Sequence, residues 1–237
     1  PSPHKINMYL NGARLKYATA QLLAHIQEKG DSHYIFFAPD GIAPEYVFDQ
    51  KTVKGRKTKF HPTAGTKSTF ELKTIDGNRI LITTLTRQEA IETTQLEDGR
   101  LIITSATVVQ DKNRTTLLSL GKNTVDYIIY PSENGWKKQQ ASVEATSPQV
   151  KWERIGGRHL CVKPDMRSLP HINDYFLNIK YTGDVAMAFI ENDLVLDHFW
   201  HGKPWCISMK RFTERLEESK EMNFYFRPLA KDAPFIE

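Results

Sequence analysis

The stretch Thr69-Phe-Glu-Leu-Lys-Thr-Ile-Asp-Gly-Asn-Arg-Ile-Leu-Ile-Thr-Thr-Leu85 decides the fold. Two runs of strand-forming residues, Thr69–Ile75 and Arg79–Leu85, flank Asp76-Gly77. Asp-Gly between such runs is a hairpin signal, because the tight turn needs positive φ, which Gly adopts without steric cost and Asp tolerates. The same punctuation lies on either side. Asn11-Gly12 follows Ile6–Leu10, and Asp98-Gly99 separates Glu89–Leu96 from Leu101–Val109. Arg14–Ile26 permits a helix or a strand, and its neighbours favour a strand. Tyr34–Ala38 is continuously apolar, the pattern of a strand buried on both faces, and it stops at the turn Pro39-Asp40-Gly41. Tyr34, Phe36 and Phe37 are therefore core candidates. Tyr46–Phe48, Thr115–Leu120 and Val125–Tyr130 complete this half, and the basic, polar segment 50–67 reads as a long exposed loop or a weak hairpin.

Pro131–Pro148 is polar and turn-rich, the composition of a domain boundary. Strands resume beyond it at Val150–Ile155 and His159–Val162, joined by Gly156-Gly157. Tyr175–Tyr181, Val185–Ile190 and Leu194–Trp200 follow, separated by Gly183-Asp184 and Asn192-Asp193. Gly202-Lys-Pro204 breaks the pattern before Trp205–Ser208, Met209–Arg215 is the one short helix, and Met222–Phe226 alternates again. Turns recurring about every ten to twenty residues mark a sandwich or barrel, not alternating βαβ units. The sequence thus predicts an all-β chain of two antiparallel β-sandwich domains with one short helix, spanning residues 1–148 and 149–237.

Composition narrows the function. The chain has 237 residues, 40% of them hydrophobic, enough to build a substantial core. Its net charge of +4 is spread out, with local clusters only at Lys54–Lys59 and Lys137–Lys138, so no nucleic-acid-binding face is expected. No apolar run approaches the ~18 residues of a membrane span. The start, Pro1-Ser-Pro-His-Lys5, has neither a Met nor the apolar segment of a signal peptide, and reads as processed or excised from a larger chain. Cys161 and Cys206 are not a disulfide framework; they pair if close in space, but two isolated buried thiols is the simpler reading.

Catalytic signatures are missing from the sequence: no nucleophile elbow, zinc-protease helix, phosphate loop or dinucleotide fingerprint occurs. No cofactor and no catalytic residue is assigned. His198 and His201 need a further ligand, such as Asp193 or Asp197, to hold zinc, so no metal is assigned either. A glycosidase needs two carboxyl groups flanking one bond. The acids Asp40, Asp184 and Asp193 stand in turns, where Asp bonds nearby backbone, and that is the simpler account of them. One segment stands out, Asp197-His-Phe-Trp-His-Gly-Lys-Pro-Trp205. Aromatic faces stack on the C–H patches of sugars while polar groups meet the hydroxyls, so His198, Trp200, His201 and Trp205 are candidate carbohydrate-binding residues. The same tryptophans also suit a plug at the end of a sandwich.

The segments 174–190 and 194–212, reading as a tyrosine, Gly-Asp, an apolar strand, Asp-x-Phe-aromatic-x-Gly-x-x-Trp and Lys-Arg-Phe, resemble the C-terminal galactose-binding-like domain of bacterial glycoside hydrolase family 35 β-galactosidases. Leu15–Gln21 and Tyr34–Phe48 are similar to the β-sandwich that precedes that domain, while 50–170 match only in strand rhythm. In that family the chemistry runs in a separate (β/α)₈ barrel, which a chain of hairpins this short does not contain. The resemblance therefore implies a non-catalytic jelly-roll module. Its partners would be the catalytic barrel and galactose-containing glycans, in the periplasm or outside the cell if the whole enzyme is secreted. A stand-alone hydrolase or lyase on a β-sandwich, and a purely structural module, are the other readings.

Overall fold

The computed structural model describes residues 8–28, 30–112, 114–144, 146–165 and 172–230. The chain divides into two compact units, Pro1–Ser142 and Val143–Glu237. Both are all-β and almost wholly antiparallel. Among the described residues no helix is long and apolar enough to cross a membrane.

The first unit contains β1 (Met8–Leu10), β2 (Ala13–Ala18), β3 (Gln21–Glu28), β4 (Asp31–Phe37), β5 (Tyr46–Phe48), β6 (Lys59–Phe60), β7 (Ser68–Lys73) and β8 (Arg79–Leu85). After the one-turn helix α1 (Arg87–Ile91) come β9 (Thr93–Gln95), β10 (Leu101–Thr104), β11 (Thr107–Asp111), β12 (Arg114–Leu118), β13 (Thr124–Tyr130) and β14 (Gln139–Ser142). They form three four-stranded sheets, ordered β1-β2-β5-β6, β3-β4-β8-β7 and β14-β13-β10-β9, and the ribbon β11-β12. The sheet centred on β4 lies in the middle. Tyr34 and Phe36 on one face pack with Leu10, Leu15, Tyr46 and Phe48 of the first sheet. Ile35 on the other face packs with Leu101, Ile103 and Ile128 of the third. Side chains alternate across a strand, so a central strand between two layers must be apolar throughout, which accounts for the Tyr34–Phe37 run.

The structure departs from the sequence reading at several joints. Arg14–Ile26 is two strands that break at Thr19-Ala20 and enter different sheets. Leu101–Val109 breaks at Ser105-Ala106. The 50–67 loop contributes buried Val53 and Phe60. Segment 131–148 carries β14, paired with β13. Glu89–Leu96 begins as α1 because Thr86 and Glu89 form a capping box, each side chain accepting from the other's backbone N–H. Among the described residues one pair, β4 with β8, is parallel, Ser32 opposite Ile80 through Phe37 opposite Leu85.

The second unit contains β15 (Val150–Arg154), β16 (His159–Pro164), β17 (Phe176–Ile179), β18 (Val185–Ile190), β19 (Asp193–Phe199), β20 (Trp205–Ser208), α2 (Thr213–Ser219) and β21 (Met222–Arg227). A short 3₁₀ turn, Lys210–Phe212, leads into α2, where the sequence places its one helix. The five-stranded sheet β15-β16-β21-β18-β19 faces the ribbon β17-β20 across a core of Ala186, Ala188, Ile190, Trp205, Ile207, Phe212, Leu216 and Phe224. Alternation along β20 turns Trp205 and Ile207 inward and Cys206 outward. Cys206 is therefore an exposed free thiol and not the buried one expected, while Cys161 is buried.

Candidate functional site

The 198–205 segment spans the end of β19, a loop and the start of β20. His198 pairs with Ala186, which is fully buried, and so stands on the core side of its sheet. Its ring stacks on Trp205, 5.2 Å between centroids at an interplanar angle of 12°. The Tyr181 hydroxyl donates to the His198 carbonyl at 2.9 Å and lies 2.7 Å from His198 Nδ1. A phenol has one proton, so with that proton on the carbonyl it accepts from Nδ1–H. That arrangement puts the neutral tautomer's lone pair on Nε2. Burial, and then the neighbouring His201, hold His198 below the ordinary imidazole range.

Trp205 is 6% exposed, with its edge against Phe224 at 5.7 Å and 88°. One face is taken by His198, so the ring serves as the plug that closes the sandwich. His201 is exposed, its centroid 5.1 Å from that of His198. Trp200 is half-buried and anchored through its backbone N–H to Asp184 O at 3.0 Å. The structure thus gathers His198, His201 and Trp205 around one point and leaves His201 and Trp200 as the accessible members. Phe199, not among the candidates, is 68% exposed beside them.

A second polar cluster lies in the first unit, where the sequence reading placed nothing. His33 on β4 is 3% exposed. Its Nδ1 lies 2.5 Å from the Tyr130 hydroxyl and its Nε2 2.7 Å from Thr83 Oγ1. Thr83 Oγ1 continues to Thr69 Oγ1 at 2.6 Å. Trp136 stacks on Tyr130 at 3.9 Å and 2°, with the Lys67 ammonium 5.3 Å from the indole centre. Burial drives the His33 imidazole down to about 4. Burial also raises Tyr130, with Glu28 and Asp31 adding to that and Arg79 opposing it. The available signal was His33 itself, at the head of a run buried on both faces, where a polar ring must be hydrogen-bonded. Its partners stand 50 and 97 residues away, out of reach of any local pattern.

Among the described residues no three His, Cys, Asp or Glu side chains gather to hold a metal. No protein-family model and no curated protein sequence matches this chain.

Proposed function

We propose that this chain is the accessory, non-catalytic region of a β-galactosidase-like glycoside hydrolase. Its two sandwich units would support a catalytic barrel, and the second would hold carbohydrate weakly at the 198–205 loop. The supporting observation is where the residues of the resembled pattern go. Trp205, Phe212, Ala186, Ala188 and Ile190 share one buried core, and Tyr181 and His198 lock its end. A pattern spent on closing a sandwich is a signature of fold, and no reacting group is required of it. Trp200, His201 and Phe199 remain to meet a sugar at the mouth of that closure.

The test is turnover of an aryl β-galactoside by this chain alone and by the same chain continuous with the segment encoded upstream. The longer protein should hydrolyse the substrate and this chain should not. Turnover by this chain alone, abolished by one Asp or Glu substitution, would establish the stand-alone enzyme instead.

A further inference from the structure

Beside His33 the first unit has a recess of about 250 Å³ between β3, β4, β8 and β13. Pockets for drug-sized molecules begin near 300 Å³, so this volume suits a single ring. Its lining is half polar in kind. Ile26 and Leu81 supply apolar wall; Tyr130 supplies an aromatic ring with a hydroxyl; Glu28, Asp31 and Arg79 supply charge.

The charges decide the ligand class. Arg79 sets Nη1 against Asp31 at 2.5 Å and Nε against Glu71 at 3.0 Å. A lone anion entering here meets Glu28 and Asp31 and incurs a like-charge penalty, and a lone cation has to compete with Arg79, which already neutralises Asp31. A neutral group that both donates and accepts meets no such penalty. Adjacent hydroxyls do this, giving protons to carboxylate and accepting from guanidinium. Tyr130 adds a third contact. Whichever way the proton lies between Tyr130 and His33, the phenol oxygen keeps one further hydrogen-bonding capacity. Both His33 nitrogens are engaged and Trp136 backs the ring, so Tyr130 is held in place before any ligand arrives.

We propose that this recess is a binding site for a neutral polyhydroxylated ring, held by Asp31, Arg79 and Tyr130 over the His33 support. The site does not depend on a barrel partner or on the 198–205 loop. The experiment is a ¹⁵N–¹H NMR titration of the full chain with aldohexoses and myo-inositol, with inorganic phosphate and ethylamine as charged probes. A neutral polyol at millimolar concentration should shift the amides of Asp31, His33, Arg79 and Tyr130. Asp31→Asn should weaken that binding about tenfold, the loss of one charge-assisted hydrogen bond. Tyr130→Phe keeps the stacked ring and should weaken it as well; if that variant unfolds, Asp31→Asn decides. No shift, shifts unchanged by Asp31→Asn, or shifts produced by phosphate or ethylamine alone would overturn the proposal. Shifts confined to 198–205 would overturn it too, while supporting the loop as the sugar contact.

Discussion

His33 is the residue with the most to say about solution behaviour. An unfolded imidazole titrates near 6.5, whereas burial holds this one near 4 in the folded unit. Below pH 6.5 the unfolded chain takes up a proton that the folded unit refuses, so stability falls as pH drops through this window and levels off below about 4. The shift corresponds to about 3 kcal/mol lost across that range. Urea unfolding followed from pH 7 to pH 4 should show the decline. His33→Gln, which keeps hydrogen-bonding capacity without a titratable ring, should have a lower plateau and a flatter profile. An unchanged slope in that variant would assign the pH response to other groups.

At the scale of the element, Gly183 governs how β18 starts. A Cβ built there would stand 2.7 Å from the Arg227 carbonyl oxygen, which accepts from Asp184 N–H at 2.8 Å. Gly183→Ala must push the end of β21 away from β18, and should cost about 1–3 kcal/mol in the second unit's unfolding. Amide exchange should locate the loss at Asp184 and along β18. The contact that Gly183 makes with Arg227 is not local, whereas the turn glycines Gly77 and Gly99 and the hairpins around them were readable in advance, because their signal lies in consecutive residues. The helix α1 was also present locally, in the Thr86-x-x-Glu89 capping box, but the β-rich surroundings concealed it. The parallel pairing of β4 with β8 left no local trace. It joins strands more than forty residues apart, and nothing in either run states its partner's direction.

For the whole molecule, the two units carry separate hydrophobic cores, each sufficient to define a cooperative transition. Calorimetry should resolve two transitions. His33→Gln should lower only the one belonging to the first unit. Trp205→Ala, which empties the plug of the second core, should lower only the other, by about 3–5 kcal/mol. A single transition displaced by both substitutions would mean that the cores unfold as one.

The sequence by itself determined the fold class, the hairpin turns, the short helix after Trp205 and the apolar strand Tyr34–Phe37. Each rests on consecutive residues, through backbone sterics at turns and alternation along strands. The tertiary structure alone decided what the polar and aromatic residues do. It made Trp205 a plug and left Trp200 and His201 accessible, turned Cys206 outward, and joined His33 to Tyr130 and Thr83. Burial and hydrogen-bond partnership are properties of neighbours brought from far along the chain, and sequence order does not encode which neighbours those are.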